Sequence, residues 1–474
     1  MASTRRDFLR QTGCALVGGA ALMSGIEDFG LVHAFAQGGS AATDYRALVC
    51  IFLNGGNDGN NTVVPIDAER FDAYRSVRSA DGLALPAPGL AGGLLPINPT
   101  SGGAYGLHPA LPELRTLFDN RQLAVVANVG PLVEPLTRDT YRNGSGKRPS
   151  QLFSHSDQIA QWQTSVSNDT SATGWGGRTA DRAAPLNGGA SFPQVVSIAG
   201  TSLFATGAQT RPLGISDART SLANVLPLNN PPGGSGYTTA QTNARRAALD
   251  TLRGVDLGAT LVKASRDVTE QAVQTSLALA NPPAGLPALP DFPNTTLGYQ
   301  LEQVARLIQL RDTLNVKRQI FFCQLGGFDT HSNQMLANVH SALLIQVSQA
   351  MKIFYDATVA LGVQNSVTSF TLSDFGRTLQ PAGGGAAVGS DHGWGNHHFV
   401  MGGAVRGGDL YGRYPTLAVG GPDDADTRGR WIPSTSVEQY AATLASWYGL
   451  SASDIPLVFP FIGRFPTANL GFMS

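Results

Sequence analysis

The chain has 474 residues, with 33 Lys and Arg against 34 Asp and Glu, so its formal net charge at pH 7 is −1. A charge balance this close to neutrality excludes the basic surface by which proteins bind nucleic acids. Charged residues make up only 14%, whereas Gly (56) and Pro (28) are abundant, and this composition indicates a globular protein with many turns and long loops.

The first 36 residues are typical of an export signal. Residues 4–10, Thr-Arg-Arg-Asp-Phe-Leu-Arg, match the twin-arginine pattern, and a weakly apolar stretch follows at 14–23. That stretch is too short to span a bilayer, which takes roughly 20 apolar residues. Small residues at 34 and 36 suit cleavage before Gln37. We predict a removable signal over 1–36, with a frayed N-terminus as the alternative. The mature protein would then have no membrane span, would use the twin-arginine translocation machinery, and would reach the periplasm or the cell exterior.

Apolar runs that end in turn residues recur along the mature chain, at 47–53, 122–129, 194–198, 319–325 and 366–372. Near-continuous apolar runs of this length are typical of parallel strands that are buried on both faces. Helical patterns lie between them, at 111–120, at 297–316, and along the stripe Val339, Leu343, Val347, Met351 and Phe354. This alternation predicts a single α/β domain over 37–474 with a doubly wound, mainly parallel sheet.

Residues 200–295 depart from this pattern. A loop rich in Asn, Pro and Gly at 229–236 is followed by an Ala-, Thr- and Gln-rich helical stretch at about 239–280 and a Pro-rich segment at 282–293. We predict a helical insertion or cap beside the sheet. The mature chain keeps two cysteines, Cys50 and Cys323, both within apolar runs. These are either two buried free thiols or, if their strands are neighbours, a disulfide.

Metal-binding side chains follow three of the predicted strands. Asp58 follows the run at 47–53, Asp329 and His331 follow the run at 319–325, and Asp374 follows the run at 366–372. Ligands bind outside the carboxyl ends of the strands in such sheets, so we expect these side chains to gather at one edge. Ordinary turn chemistry is the alternative for Asp58, and helix capping is the alternative for Asp329.

A Gly-rich stretch farther along the chain adds Asp391-His392 and His397-His398. An Asp and a His side by side in a Gly-flanked turn can both point inward. Only one of His397 and His398 is needed as a direct ligand, and the other would orient a ligand or bind substrate. Carboxylates and neutral imidazoles bind divalent ions, so we predict one or two such ions here. These ligand types do not distinguish among Zn, Mn, Fe, Mg and Ca.

Several short motifs, in order, resemble a known family. After the twin-arginine start come Phe52–Pro65, Gly106–Leu111, Ser154–Gln158, Gly326–His331 and Asp374–Thr378. Together they resemble the exported family called domain of unknown function 1501, which is similar to the alkaline phosphatase and sulfatase superfamily. The resemblance implies an alkaline-phosphatase-like fold with metals at the carboxyl edge of the sheet. It implies as ligands Asp58, Asp329, His331, Asp391, His392 and one of His397 and His398.

The superfamily places a Ser, Thr or modified Cys nucleophile at a helix start. The sulfatase pattern Cys-x-Pro-x-Arg does not occur in the sequence, so formylglycine chemistry is not expected. Ser154 is the candidate nucleophile, because a helix that begins there would offer amides to an oxyanion; a simple N-cap is the alternative. Arg377 would hold the ester oxygens with its planar fork, or form a structural salt bridge. Candidate substrate-binding residues are His108, His155 and Asn61.

Two functions follow from these residues. The first is an exported metal-dependent hydrolase acting on phosphate or sulfate esters of small molecules or polymers. The second is a non-catalytic exported binding or assembly protein on the same fold. A redox protein is not expected, because the sequence has no Cys cluster for iron–sulfur ligation, no dinucleotide fingerprint and no haem attachment pair.

Overall fold

The computed structural model describes residues 42–190, 192–224, 238–253, 260–280 and 282–474. The predicted signal over 1–36 and the predicted loop at 229–236 lie outside the described residues. The strands are β1 (Arg46–Leu53), β2 (Val63–Pro65), β3 (Leu95–Ile97), β4 (Tyr105–Leu107), β5 (Leu123–Gly130), β6 (Val195–Ser197), β7 (Leu213–Gly214), β8 (Arg318–Leu325), β9 (Val367–Ser373), β10 (Arg377–Ala382), β11 (Gly389–His392), β12 (Asn396–Met401), β13 (Leu410–Tyr411) and β14 (Thr435–Ser436). The helices are α1 (Gly59–Thr62), α2 (Ala68–Arg78), α3 (Pro112–Asp119), α4 (Arg138–Arg142), α5 (His155–Thr164), α6 (Trp175–Ala183), α7 (Thr239–Arg253), α8 (Thr260–Ala280), α9 (Thr296–Gln309), α10 (His340–Ala360), α11 (Val437–Tyr448) and α12 (Ile455–Val458).

A large sheet forms the centre of the fold, in the order β13-β5-β12-β9-β1-β8-β6-β7, with β14 also paired to β5. β1 lies between β8 and β9 and is parallel to both. β12 is antiparallel to β5 and β9, while the other pairings of this sheet are parallel. The predicted α/β class with a mainly parallel sheet is therefore confirmed.

Helices cover both faces of the sheet, as expected for a doubly wound fold. Alternate residues of β1 face opposite sides: Val49 and Ile51 pack with α3, α9 and α10, whereas Leu48 and Phe52 pack with α6 and α11. The strands are almost wholly buried because both faces are covered, which explains their continuous apolar runs.

The two cysteines illustrate this alternation. Ile51 pairs with Cys323 across β1 and β8, so Cys50 and Cys323 lie on adjacent strands. Cys50 belongs to one apolar layer and Cys323 to the other, and both are buried free thiols. Side chains on opposite faces of a sheet cannot form a disulfide, so the free-thiol alternative is the one observed.

The loops after β1 and β8 meet at the carboxyl edge of the sheet. The backbone N–H of Asn54 donates to the Leu325 carbonyl at 2.9 Å, so the loop after β1 continues the pairing with β8. Gly55 has φ of +116°, and a Cβ atom there would lie 2.4 Å from the backbone nitrogen of Asp329. Only glycine permits this approach of the two loops. β12 runs antiparallel and therefore begins at the same edge, with Asn396 opposite Val129 near the end of β5.

Two long helices, α7 and α8, lie within the helical stretch that the sequence predicts at about 239–280. Leu279, near the end of α8, packs with the apolar layer that also contains Leu222 and the residues of α9. Among the helices that the structure describes, none combines the length and the apolar composition of a membrane span.

Glu438 is a buried carboxyl group in the first turn of α11. Its Oε1 accepts a hydrogen bond from the Phe461 backbone N–H at 2.9 Å, whereas Oε2 has no partner among the described residues. Burial raises the pKa of Glu438 to about 8. The folded protein therefore holds this proton more tightly than the unfolded chain does.

We expect Glu438→Gln to remove a pH dependence of stability. A glutamate in an unfolded chain has a pKa of about 4.3, so the wild type loses folding stability as the pH rises from there through the folded pKa. The Tm of the variant relative to the wild type should increase from pH 5 to pH 9 in scanning calorimetry. Glu69→Gln, on an exposed side chain of α2, is the control. A Tm difference that is the same at pH 5 and pH 9 would contradict this assignment.

Candidate metal centre

Five side chains converge at the carboxyl edge of the sheet, and we call them the His/Asp cluster: His155, Asp329, His331, Asp391 and His392. His155 is the first residue of α5, Asp329 and His331 lie in the loop after β8, and the other two end β11. Each is partly exposed, so the cluster is accessible from solvent.

His155 is oriented by a buried carboxylate. Its Nδ1 lies 2.7 Å from Oδ2 of Asp374, whose side chain is fully buried and whose Oδ1 accepts from the Gly55 N–H at 2.9 Å. Burial raises the pKa of Asp374, against the opposing effect of these hydrogen bonds. An Nδ1–H that donates to a carboxylate leaves Nε2 as a lone-pair donor, the arrangement found for metal-ligating histidines. Nε2 of His155 is buried and has no hydrogen-bond partner among the described residues.

His392 is oriented in the same way by a main-chain carbonyl. Its Nδ1 lies 2.7 Å from the Phe153 carbonyl, to which it donates, and its Nε2 is buried without a hydrogen-bond partner in the described part of the chain. Phe153 has φ of +71°, an uncommon conformation for a bulky residue. Burial lowers the pKa of His392, which favours the neutral imidazole that a metal requires.

The two free imidazole nitrogens face one carboxylate. Nε2 of His155 lies 3.5 Å and Nε2 of His392 lies 3.6 Å from Oδ1 of Asp329. Tetrahedral coordination with bonds of about 2.1 Å places ligand atoms about 3.4 Å apart. The donor set and its spacing therefore fit a divalent ion such as Zn²⁺, with two imidazoles and one carboxylate as ligands.

A second group of candidate ligands overlaps the first. Nε2 of His331 lies 3.5 Å from Oδ1 of Asp391, and His392 completes this group. Since Nδ1 of His392 is used by Phe153, its single free nitrogen can bind only one ion at a time. The geometry accordingly favours one ion at the His/Asp cluster, whereas the sequence left one or two open.

Arg377 lies behind the cluster and is fully buried. Its guanidinium donates to the carbonyls of Gly56 at 2.9 Å and Ser390 at 3.0 Å, to those of Gly55 and Phe328, and to Oδ1 of Asp329. Burial acts to raise the pKa of Asp329, but Arg377, together with His331 and His155, lowers it below its usual value. The sequence offered two roles for Arg377, and the contacts observed, with its donors directed at protein acceptors, are those of a structural salt bridge.

Asp58 and Asn61 do not join the cluster. The Asp58 carboxylate accepts from Arg78 at 2.7 and 3.0 Å and from Nε2 of Gln334 at 2.6 Å, and the Asp58 and Arg78 side chains are both fully buried. Oδ1 of Asn61 accepts from Arg78 at 2.6 Å and from the Tyr74 hydroxyl at 2.7 Å. Both residues are satisfied core groups, because α2 brings Arg78 beneath the first loop.

His108, His397 and His398 also lie outside the cluster. Burial lowers the pKa of each to about 3. Nδ1 of His108 accepts from the Ala110 N–H at 3.0 Å, and Nδ1 of His397 accepts from the Asn128 N–H at 3.1 Å. His398 packs against Trp162. These three imidazoles are neutral core groups.

Ser154 stands at the N-cap position of α5, directly before His155. Its hydroxyl donates to Oδ2 of Asp157 at 2.6 Å and makes no capping hydrogen bond to the helix amides. Ser154 thus has the position of an N-cap, which is the alternative stated from the sequence. Its hydroxyl, however, donates to the Asp157 carboxylate and accepts no hydrogen bond from the helix amides.

Sequence reasoning missed His155 as a ligand and missed Arg428 and Arg430, which approach Asp391 at 2.6 and 3.6 Å. The signal available for His155 was its place in the motif Ser154–Gln158, at a predicted helix start, and it predicted a substrate contact. The two arginines had no comparable signal.

The family assignment follows from a family model described as "Protein of unknown function (DUF1501)", which matches residues 45–425. The chain belongs to this family, so the resemblance stated from its motifs is confirmed. A search of curated proteins gave no match.

Solved structures that align with the chain include sulfatases and an alkaline phosphatase. The PsFucS1 sulfatase from Pseudoalteromonas sp. aligns at TM-score 0.32 and 9% identity, over 94% of this chain and 73% of that one. The C-terminal periplasmic domain of EptC from Escherichia coli, in complex with Zn, aligns at 0.34 and 10%, over 91% and 87%. Alkaline phosphatase from the Antarctic bacterium TAB5 aligns at 0.24 and 9%, over 77% and 93%. TM-scores this low assign neither activity nor site residues.

We expect Arg78→Ala to lower the free energy of unfolding by about 3–5 kcal/mol, because it leaves the Asp58 carboxylate buried and unpaired. Urea unfolding followed by circular dichroism measures this change. The control is Arg115→Ala, which removes an exposed pair with Asp119 and should cost at most ~1 kcal/mol. Equal losses in the two variants would show that the buried ion pair is not a special contributor.

Proposed function

We propose that this protein is an exported hydrolase of phosphate or sulfate esters that works with a divalent metal ion at the His/Asp cluster. One observation carries the proposal: Nε2 of His155 and Nε2 of His392 are both buried without hydrogen-bond partners and both face Oδ1 of Asp329. A buried polar atom without a hydrogen-bond partner lowers the stability of the fold. Two such nitrogens close to one carboxylate oxygen therefore indicate a ligand that binds between them.

The composition of the ligand set supports a catalytic rather than a structural ion. Structural sites are closed by four protein ligands, whereas catalytic sites use three and keep a position open. His155, Asp329 and His392 provide three, and the cluster is accessible from solvent. A divalent ion bound there would supply a Lewis acid that polarises an ester oxygen. The resemblance of the motifs to the alkaline phosphatase and sulfatase superfamily supports phosphate or sulfate esters as substrates.

Ser154 is the nucleophile in this proposal. It adjoins His155 in the chain, and the Asp157 carboxylate, 2.6 Å from its hydroxyl, can accept the proton as Oγ attacks the ester. The leaving oxygen departs, and water then releases the group from the serine. The export route belongs to the proposal as well: the twin-arginine pattern supports passage through that machinery to the periplasm or the cell exterior.

Metal binding gives the first test. Protein purified without chelator should hold about one equivalent of a divalent metal by mass spectrometry, and His155→Ala should hold less than a tenth as much. Asp374→Asn, which removes the carboxylate that orients His155, should weaken metal binding by about 10–100-fold. His397→Ala is the control, because this histidine lies outside the cluster.

The outcomes separate the alternatives. Full metal content in a folded His155→Ala variant would falsify the ligand assignment. A wild type that binds metal but hydrolyses neither p-nitrophenyl phosphate nor p-nitrophenyl sulfate would favour the non-catalytic binding protein over the hydrolase.

The serine gives the second test. We expect Asp157→Asn to lower kcat by about 10²–10⁴-fold, because the proton acceptor for Ser154 is lost. Ser154→Ala should lower kcat at least as far, with the metal content of both variants unchanged. Ser76→Ala is the control, because this exposed serine of α2 donates to the Ala73 carbonyl and lies outside the Ser154–Asp157 contact. If Ser154→Ala keeps wild-type kcat, water attacks the ester directly and the serine role is wrong.

A further inference from the structure

A loop after β13 borders the cluster and is held by a buried carboxylate. Asp424 is fully buried and accepts four backbone N–H groups, from Gly420 at 2.8 Å, Asp426 at 3.1 Å, Gly429 at 2.9 Å and Arg430 at 3.0 Å. This network fixes a segment that has no regular secondary structure. The C-terminal part of this segment places Arg428 and Arg430 next to β11.

Arg430 is fixed in the wall of the site. Its Nε donates to the His392 carbonyl at 2.8 Å, one terminal nitrogen donates to Asp426 at 3.1 Å, and its guanidinium lies 4.3 Å from the centre of the Phe153 ring. Arg430 therefore contacts both His392 and Phe153, the residue whose carbonyl orients the His392 ring. Two of its five N–H donors are thereby used by the protein, and the guanidinium is fixed against the Phe153 ring.

Arg428 is held by fewer contacts than Arg430 and is more exposed. Its guanidinium makes one contact in the described structure, from a terminal nitrogen to Oδ2 of Asp391 at 2.6 Å, and the side chain remains 36% exposed. A guanidinium has five N–H donors in a planar fork, so most of them remain available. The other oxygen of Asp391 lies 3.5 Å from Nε2 of His331. The free donors of Arg428 therefore border the His/Asp cluster.

We propose that Arg428 is the substrate-binding residue that holds the non-bridging oxygens of an anionic phosphate or sulfate group at the His/Asp cluster. This inference rests on the proposed function and assigns the binding of the charged phosphate or sulfate group of its substrates to one residue. A planar guanidinium matches two oxygens of a tetrahedral anion at once. Arg377, which also contacts a cluster carboxylate, is buried with its donors directed at protein acceptors and cannot do this.

The charges around the cluster are compatible with an anion. Oδ1 of Asp329 is paired with Arg377, and Oδ2 of Asp391 is paired with Arg428. Each carboxylate is thereby compensated, so an incoming oxyanion meets paired charges and the exposed edge of a guanidinium.

The test is anion binding, measured without turnover. Zinc-loaded mature protein is titrated with inorganic phosphate and with sulfate by calorimetry. We expect Arg428→Gln to raise the Kd about 10–100-fold, in line with the loss of charge-assisted hydrogen bonds. Arg428→Lys, which keeps the charge but not the fork, should fall between the wild type and Arg428→Gln. Arg413→Gln is the control, an exposed arginine paired with Asp423 and not with the cluster.

Two further measurements complete the design. Metal content and the urea midpoint should be unchanged in Arg428→Gln, because the side chain is partly exposed. Its effect on kcat/KM should be large for p-nitrophenyl phosphate or sulfate and absent for p-nitrophenyl acetate, if the wild type cleaves them.

The inference is overturned if phosphate and sulfate fail to bind the wild type at millimolar concentration. It is also overturned if Arg428→Gln binds them as the wild type does, or if Arg413→Gln loses as much affinity. Anion binding that depends on Arg428, without hydrolysis of either ester, would sustain this inference while the proposed hydrolase fails. Hydrolysis with unchanged anion binding in Arg428→Gln would do the reverse.

Discussion

The buried guanidinium of Arg377 is the interaction on which the candidate centre depends. It joins the loop after β1, through Gly55 and Gly56, to Phe328 after β8 and to Ser390 in β11, and it anchors Asp329. A buried charge without acceptors is strongly unfavourable, so these loops are stable only in the arrangement that supplies them. The same arrangement positions the Asp329 carboxylate, so the contacts that stabilise this edge of the sheet also form the candidate centre.

Part of this centre was predictable because it follows from strand order. Asp329 and Asp374 come directly after continuous apolar runs, and the carboxyl ends of parallel strands must share an edge. Asp58 satisfies the same rule and lies at the same edge, yet it faces the core. Asp58 differs from Asp329 and Asp374 in its contact with Arg78. That contact depends on how α2 packs against the loop, which no local sequence pattern predicts.

The histidines show a second reason why sequence reasoning stopped short. A Gly-rich stretch suggested a loop through His397 and His398, but β12 begins at Asn396 and inserts between β5 and β9. Successive side chains of a strand point to opposite faces, so neighbouring histidines in a central strand enter the two apolar layers and not the edge. The insertion of β12 depends on pairing with strands that are distant in the sequence. The local residues therefore do not show whether His397 and His398 lie in a loop or in a strand. His155 was open to prediction as a substrate contact only, because its orienting partner, Asp374, lies 219 residues away in the chain.

The two orienting groups give the imidazoles different character. Nδ1 of His155 bonds the Asp374 carboxylate, whereas Nδ1 of His392 bonds the neutral Phe153 carbonyl. The carboxylates Asp329, Asp391 and Asp426 pair with the arginines 377, 428 and 430, and the buried Asp374 lies next to His155. A divalent ion bound at the His/Asp cluster would outweigh the one carboxylate that pairs with no arginine, and the resulting positive charge would attract an anion. Under the proposed function, metal binding would therefore favour the binding of an anionic ester at this edge, because the ion would create the field that attracts the ester.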